Sequence, residues 1–217
     1  MHDVRFPGET EGYRAQRDAL LAEERALRAQ IEKVAGLRRA LPDGGVAEDY
    51  VFGTADGERR LSELFGHHDT LLLYSFMFTG GGSAPCPMCS AFLDSVTGQR
   101  QHLEQRMAVN IVARAPVEDI QILVRERGWH DVSWLSATAN TYPVDYHSEM
   151  PDGAQVPMVN VFTRRDGEVR HFWASELFFV PDGGHPRHVD MLWPLWHFFD
   201  LAPTGRGDFM PALGYGD

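Results

Sequence analysis

The longest apolar stretch of the chain extends from Leu71 to Phe78 and is interrupted only by Ser75. Its residues are aromatic or aliphatic, without the repeated polar positions of an amphipathic helix or a half-buried strand. This pattern predicts a strand that is buried on both faces. Glycines at positions 80–82 break the run, and apolar residues then recur at helical spacing from Phe92 to Val96. The sequence therefore predicts a strand, a loop and a helix over residues 70–98.

Near its N-terminus the chain has a long helical pattern, from Glu11 to Ala40. Thr10 stands where a capping residue is expected, and the breaker-rich residues 41–45 end the helix. An apolar stripe follows the helix at Leu20, Leu27, Ile31 and Val34. The stripe packs either on the chain's own domain or on a second subunit, because periodicity does not say which surface it meets.

Short strands and helices follow from residue 46 onward. Before the apolar strand, the sequence predicts an extended segment at 50–52, a turn at 56–57 and a brief helix or turn at 61–65; the helix after the cysteines is expected to reach Arg106. A strand at 108–113, a helix at 116–127, a strand at 133–136 and a polar loop at 137–155 follow. The last predicted elements are strands at 158–163 and 168–174, a helix at 188–201 that Pro194 kinks or restarts, and an exposed tail. Alternating strands and helices predict a parallel core. The turn at Asp166 and Gly167 predicts a late antiparallel hairpin. The fold class is thus α/β with a mixed sheet, and the domains are an N-terminal helical arm (1–45) and a second domain (46–217).

The composition excludes several classes of partner. The 217 residues carry a formal net charge of −11, which argues against binding to nucleic acid or to an anionic membrane surface. No run approaches the roughly 18 apolar residues of a membrane span, and the first residues lack an apolar signal region. We therefore expect a cytoplasmic protein. The apolar arm and the aromatic segment from Trp193 to Phe199 lead us to predict a homodimer.

The only two cysteines, Cys86 and Cys89, stand where the predicted helix begins. An ordinary cysteine is only about 3% ionised at neutral pH, whereas a thiol at a helix N-terminus can have a pKa of roughly 7 or below. The helix dipole and exposed N–H groups stabilise the thiolate there. Pro87 suits the first helical position. We therefore predict that Cys86 attacks a disulfide and that Cys89, one turn further along, resolves the mixed disulfide.

Other chemistries were weighed against this one. A zinc site needs two more ligands than the cysteines supply, and an inert pair of cysteines is the plainest alternative. The candidate metal ligands beside Asp190 are His185, His188 and His197. Their spacing has no metal-site pattern, so we expect no metal and no cofactor. The glycines at 80–82 lack the spacing of a nucleotide-binding loop and instead suggest a flexible approach to the cysteines. The loop between Trp129 and Trp134 is a further candidate to approach the thiols.

Residues 46 to 200 resemble the thioredoxin fold, most closely its peroxiredoxin-like branch, in which a strand and an Asp-Gly turn precede the strand leading to the cysteine. The chain also looks like a member of a bacterial thioredoxin-like family whose function is not established. The shared segments, in order, are C-P-M-C at 86–89, R-A-P at 114–116, G-E-V at 167–169 and the D-x-x-P-x-G-R ending at 200–206. The resemblance implies a thioredoxin-like mixed sheet flanked by helices.

Three hypotheses for the function follow from these residues and this resemblance. Dithiol–disulfide exchange with a protein or small-molecule disulfide is the first hypothesis. The peroxiredoxin pattern P-x-x-x-T-x-x-C is matched only in part, since Ser83 takes the hydroxyl position but Thr79 takes the proline position. Reduction of a hydroperoxide is therefore the second hypothesis. A redox sensor or binding module without turnover is the third.

The resemblance also implies a substrate groove. Thioredoxin-like folds place a cis-proline before the strand of the final hairpin, opposite the dithiol, and Pro157 holds the corresponding position in this sequence. We therefore expect a cis bond between Val156 and Pro157, with the Val156 backbone free to pair with an extended substrate. An ordinary trans proline that opens an edge strand is the alternative.

Overall fold

A computed structural model describes residues 4–180 and 189–216. The chain divides into two compact units, residues 1–42 and 43–217. Within the described residues no helix is both long enough and apolar enough to cross a membrane.

The first unit is dominated by helix α1, Glu11–Arg39. The prediction that Thr10 caps the helix is confirmed, because its hydroxyl accepts a hydrogen bond from the Tyr13 N–H at 3.1 Å. The buried guanidinium of Arg14 donates to the Val4 carbonyl at 3.1 Å, so the segment before the helix lies against its first turn. Most of the predicted apolar stripe is exposed: Leu20, Leu27 and Ile31 have exposed fractions of 53%, 61% and 57%, and Val34 is half-buried.

The second unit is built on a sheet of seven strands. They are β1 Val51–Thr54, β2 Gly57–Arg60, β3 Thr70–Phe76, β4 Ala108–Ala113, β5 Ser133–Ser136, β6 Met158–Arg165 and β7 Glu168–Ala174. Their order across the sheet is β2-β1-β5-β4-β3-β6-β7. Strands β3, β4 and β5 are parallel, and the remaining pairs are antiparallel. This is the thioredoxin-like mixed sheet that the sequence predicted.

Helices cover the sheet on both sides. They are α2 Pro87–Thr97, α3 Arg100–Leu103, α4 Val117–Arg127, α5 Tyr142–Asp145 and α6 Pro194–Asp200, with short 3₁₀ turns at Leu61–Glu63, Glu176–Phe179 and Asp190–Leu192. The central strand β3 contributes to two separate cores, because its side chains alternate between faces. Tyr74 and Phe76 join α2, α4 and α6 in one core. Leu71 and Leu73 belong to the other, with β1 and α5.

Three local predictions were wrong. The helix after the cysteines ends at Thr97 instead of Arg106, because Gly98, a poor helix former, follows it. The polar segment 137–155 contains α5, whose Tyr142 is fully buried; a four-residue helix is too short to show a period. The tail also packs back on the domain: the Phe209 ring lies 4.9 Å from the Phe199 ring.

The prediction that Pro194 kinks or restarts the C-terminal helix is confirmed, because Pro194 is the first residue of α6. The indoles of Trp193 and Trp196 each have an exposed fraction of 2%, so both belong to the core. Phe198 on the same helix is 68% exposed. The aromatic segment is therefore mainly internal, with one ring facing outward.

Candidate functional site

The approach to the cysteines is a glycine-containing loop with several internal hydrogen bonds. Gly80, Gly81 and Gly82 have φ angles of 71°, 61° and 81°, a region that residues with a side chain rarely adopt. The Gly81 N–H donates to the Asp119 carboxylate at 2.8 Å. The Ser83 hydroxyl donates to the Gly80 carbonyl at 2.7 Å. These bonds fold the loop on itself and onto the first turn of α4.

Cys86 stands at the point where the loop becomes helix α2. It is the N-cap residue, Pro87 is the first helical residue, and the Cys89 N–H donates to the Cys86 sulfur at 3.4 Å. The Cys86 N–H donates in turn to the Met77 carbonyl at 3.2 Å, which ties the cysteine to the end of strand β3. Both cysteines are free thiols; Cys86 is half-buried and Cys89 is buried.

The two thiols are electrostatically unequal. The side-chain hydrogen bond from Cys89 outweighs burial and, with the N–H groups of Cys89 and Met88, lowers the pKa of Cys86 to about 6. The same hydrogen bond, then burial and the negative charge of Cys86, raise the pKa of Cys89 well above its ordinary value. At neutral pH the pair therefore carries one thiolate, on the sulfur nearer to solvent.

A tyrosine that the sequence analysis did not single out is buried beside the cysteine helix. Tyr74 belongs to the same core as Cys89, and its exposed fraction is 2%. Its ring centroid lies 4.8 Å from that of Phe92 on α2. Tyr74 lies inside the apolar run of β3, so the sequence pattern does not distinguish it from the other aromatic residues there.

The expected cis-proline is absent. All peptide bonds in residues 4–180 and 189–216 are trans, including that between Val156 and Pro157. The Val156 N–H donates to the Ser148 carbonyl at 2.9 Å, so it is not free to pair with a substrate. The segment before Val156 doubles back through the bridge between Glu149 and Gln155, which brings the Ser148 carbonyl to the Val156 N–H.

Val156 and Pro157 lie at one end of the pairing between β3 and β6. Ser75 and Met158 form the terminal pair of the β3–β6 ladder, and Pro157 is the residue next to Met158 just outside this ladder. Val156 and Met77 line the same small cavity, of about 10 Å³. Since the Met77 carbonyl binds the Cys86 N–H, Val156 lies at the same end of the sheet as the dithiol.

The remaining candidates are distributed differently. Trp129 and Trp134 stack at 5.8 Å and both contact Phe76. The Trp129 indole donates to Asp94 of the cysteine helix at 2.8 Å.

Among the residues that the structure describes, no three His, Cys, Asp or Glu side chains gather as metal ligands. His185, His188 and the side chain of Asp190 lie outside the described part of the chain.

A larger cleft, of about 830 Å³, lies away from the cysteines. It opens where β1 leaves β5, since these strands pair only at Gly53 and Ser136. Its walls include Leu64, Asn110, Val124 and Leu135, and neither cysteine lines it. The thiol whose pKa is lowered therefore lies outside this cleft.

Several solved structures are similar to this chain at low sequence identity. The peroxidoxin BcpB from Mycobacterium tuberculosis has 16% identity and a TM-score of 0.46, over 70% of this chain and 94% of that chain. The pneumococcal exposed lipoprotein thioredoxin Etrx1 from Streptococcus pneumoniae strain TIGR4 has 15% identity and a TM-score of 0.43, over 58% and 87%. Reduced Prx3 from Vibrio vulnificus has 12% and 0.44, over 59% and 83%. At such values the similarity says nothing about substrates.

The sequence comparison assigns the family. No curated protein matches this chain significantly. The family described as "Bacterial protein of unknown function (DUF899)" matches residues 4–213. That span includes the arm, the C-P-M-C segment and the D-x-x-P-x-G-R ending on which the sequence-based family prediction rested. The chain therefore belongs to the DUF899 family of bacterial proteins.

Proposed function

We propose that this protein is a dithiol–disulfide oxidoreductase in which Cys86 is the nucleophile and Cys89 the resolving thiol. The observation that carries the proposal is the position of the Cys86 sulfur, which caps helix α2 and accepts the Cys89 N–H. An N-terminal helix position stabilises a thiolate at neutral pH. Cys89 is buried and shielded from outside reagents, as a resolving thiol should be.

The reaction takes place in two exchanges. The Cys86 thiolate attacks one sulfur of a substrate disulfide, forms a mixed disulfide and releases the other sulfur as a thiolate. Cys89 then loses its proton and attacks the Cys86 sulfur, which releases the second substrate thiolate. The substrate disulfide gains two electrons, and the protein is left with a Cys86–Cys89 disulfide. An external dithiol reductant must regenerate the pair.

Hydroperoxide reduction is the alternative activity, and one contact makes it less favourable. In the peroxiredoxin pattern a hydroxyl residue precedes the cysteine by three positions, and Ser83 holds that position here. The Ser83 hydroxyl donates to the Gly80 carbonyl and contacts the Thr79 hydroxyl at 2.9 Å. Both of its contacts lie within the loop, so the geometry supports disulfide exchange better.

Turnover separates these activities from a redox sensor. The reduced protein is given a peptide disulfide or hydrogen peroxide, with dithiothreitol as regenerating reductant, and substrate loss is followed above the uncatalysed rate. We expect many turnovers on the disulfide and fewer on the peroxide. One stoichiometric oxidation without turnover would instead identify a sensor.

Two matched variants assign the roles of the cysteines. Cys86→Ser should abolish turnover and the first thiolate release. Cys89→Ser should retain the first exchange and stop as a mixed disulfide, detectable as a mass increase on Cys86. If Cys89→Ser turned over like the wild type, the resolving role would be wrong.

We further propose that substrates contact the domain beside Val156 and Pro157. Because the Val156 N–H is engaged, the groups proposed for this contact are the Val156 carbonyl and the half-buried Pro157 ring. Pro157→Ala should raise KM for a peptide disulfide without changing the pH dependence of Cys86 alkylation. An unchanged KM would remove these residues from the substrate surface.

Our proposal for assembly is a homodimer formed through the exposed stripe on α1. More than half of each side chain at Leu20, Leu27 and Ile31 is exposed, and a two-fold dimer is the commonest way to cover such a face. Light scattering should give twice the chain mass, and Leu20→Glu with Leu27→Glu should halve it. A monomer at micromolar concentration would end the proposal.

A free dithiol suits the reducing cytoplasm, where we propose that the protein acts.

A further inference from the structure

Arg114 is a charged residue between two buried alanines at the end of β4. Its neighbours Ala113 and Ala115 have exposed fractions of 2% and 0%, whereas 35% of the Arg114 side chain is exposed. Ala113 pairs with Phe76 on β3, so Arg114 leaves the sheet beside Met77, the residue after Phe76. The R-A-P segment therefore places a guanidinium at the end of the sheet where the dithiol lies.

A short chain of contacts connects Arg114 to the reactive cysteine. Arg114, Met77 and Val156 line the same small cavity, of about 10 Å³. The Met77 carbonyl accepts the Cys86 N–H at 3.2 Å. Of the described residues that line this cavity, Arg114 alone carries a charge. A cation therefore stands on the side of the dithiol where we propose that substrates bind, beside Val156.

The ion pair that Arg114 makes engages one edge of its guanidinium. Arg114 Nε lies 2.7 Å from Glu149 Oε2, and only 16% of the Glu149 side chain is exposed, so the carboxylate is the inner partner. Glu149 is the one ion-pair partner of Arg114 within residues 4–180 and 189–216. Arginine presents five N–H groups in a planar fork. A contact at Nε therefore leaves the end of the fork, Nη1 and Nη2, for a second carboxylate.

The hairpin at 148–156 holds this ion pair in place. The Glu149 N–H donates to the Pro143 carbonyl at 2.8 Å, and Glu149 forms a backbone bridge with Gln155. The fixed carboxylate restricts the Arg114 side chain before any substrate arrives. Ordering a long side chain in advance reduces the entropy that binding would otherwise cost, so the fork is preorganised.

We propose that Arg114 determines the substrate specificity of the dithiol, binding a carboxylate of the substrate with its two terminal nitrogens. This rests on the proposed dithiol exchange. The favoured substrates are then disulfides with a carboxylate close to the sulfur, as in an acidic peptide. Such a substrate needs a local cation, because the net charge of −11 and the Cys86 thiolate both repel it. Arg114 exchanges no atom or electron; it holds the disulfide near Cys86 during the two exchanges.

Two aromatic disulfides that differ in charge test the proposal on the full-length reduced protein. Dithiobis-nitrobenzoate carries a carboxylate on each ring, whereas dithiodipyridine is uncharged at neutral pH. The rate at which Cys86 releases the first thiol is measured with each reagent. Arg114→Gln should slow the reaction with dithiobis-nitrobenzoate about tenfold, because it removes a hydrogen bond between two charged groups. The rate with dithiodipyridine should stay within about twofold. Added salt should slow only the charged reagent, and less in the variant.

A matched control removes the same charge elsewhere. Arg100 on α3 also contacts a glutamate through Nε, at 2.9 Å from Glu104, and 31% of its side chain is exposed. It follows the end of α2 opposite to Cys86. Arg100→Gln should leave the ratio of the two rates unchanged.

A second variant separates substrate binding from a structural role. Glu149→Gln removes the counter-charge and keeps Arg114, so the reaction with dithiobis-nitrobenzoate should become about two- to fivefold faster. If the ion pair only fastened the hairpin to β4, Arg114→Gln and Glu149→Gln would change the rates in the same direction, and with both reagents.

Four outcomes would overturn the role of Arg114. They are an unchanged rate with dithiobis-nitrobenzoate in Arg114→Gln, equal slowing with both reagents, equal slowing by Arg100→Gln, and slowing by Glu149→Gln. If Arg114→Gln does not fold, Arg114→Lys keeps the charge without the fork and should lower the ratio of the two rates severalfold; an unchanged ratio would reject the proposal. Release of one thiol or none by the wild type, with both reagents, would instead overturn dithiol exchange itself, and with it this inference.

Discussion

The Asp119 carboxylate accepts the Gly81 N–H at 2.8 Å and in doing so joins the loop before the cysteines to the first turn of α4. The two residues are separated by 38 positions. A Cβ atom on the neighbouring Gly80 would lie 2.2 Å from the same carboxylate. The close approach of Asp119 therefore requires glycine at position 80 as well as a free N–H at position 81.

The first prediction follows from this contact. Gly80→Ala should destabilise the protein more than Gly82→Ala, although both glycines have positive φ. A left-handed residue with a side chain costs about 1–2 kcal/mol in either variant, but only at position 80 does the new methyl group meet Asp119. Urea unfolding measures both. Equal losses of unfolding free energy would contradict the contact.

A double-mutant cycle is the control for this prediction. Asp119→Ala removes the carboxylate, so the cost of Gly80→Ala should be smaller in that background, with a coupling of about 0.5–3 kcal/mol. Glu118→Ala removes an adjacent acidic residue from the same helical turn and should show no such coupling. Coupling of similar size with Glu118 would indicate a general effect of charge at the helix start.

The second prediction concerns the reactivity of Cys86. Its pKa of about 6 means that alkylation by iodoacetamide should rise with pH through a midpoint near 6 and reach a plateau by about pH 7.5. Cys86→Ser should remove this fast phase, and Cys89 should react slowly throughout because it is buried. A midpoint near 8.5, that of an ordinary thiol, would show that the helix N-terminus does not activate the sulfur.

The third prediction concerns the pH dependence of the reduction potential of the Cys86–Cys89 disulfide, which follows from the unequal pKa values of the two thiols. Below pH 6 reduction of the disulfide takes up two protons, so the potential should fall by about 59 mV per pH unit. Above pH 6 Cys86 remains a thiolate while Cys89, whose pKa is raised, still takes a proton. The slope should then be about 30 mV per pH unit. Equilibration with a dithiol buffer measures the reduction potential at each pH. A single constant slope from pH 5 to 8 would be inconsistent with the pKa of Cys86.

The fourth prediction concerns Asp94, which holds the cysteine helix against α4. Its carboxylate accepts the indole N–H of buried Trp129 at 2.8 Å and pairs with Arg127 at 3.4 Å. Asp94→Ala leaves the indole N–H without its partner and should cost about 1–3 kcal/mol. Asp94→Asn keeps an acceptor and loses a part-exposed ion pair, so it should cost less than about 1 kcal/mol. Similar costs in urea unfolding would exclude the indole bond as the main contribution.

The elements of the fold could be read largely from the sequence. Strand β3 was predictable because a run of large apolar side chains has no stable place other than between two covered faces. The activated position of Cys86 was predictable as well, because Pro87 favours a helix start and the glycines exclude an earlier one. These signals are local: each depends on residues within one or two turns of the chain.

Long-range contacts could not be read in this way. The tyrosine beneath Cys89 comes from 15 positions earlier in the chain, and only the pairing of β3 with its neighbours brings it under α2. The engagement of the Val156 N–H likewise depends on the hairpin at 148–156, in which the Ser148 carbonyl accepts it. Local patterns indicated the strands, the longer helices and the helix-start position of Cys86, since propensity and periodicity act between neighbours, but they missed α5 and the end of α2. The partners of Gly81 and Val156 became clear only in the folded chain, because a hydrogen bond joins groups that are close in space, whatever their separation along the chain.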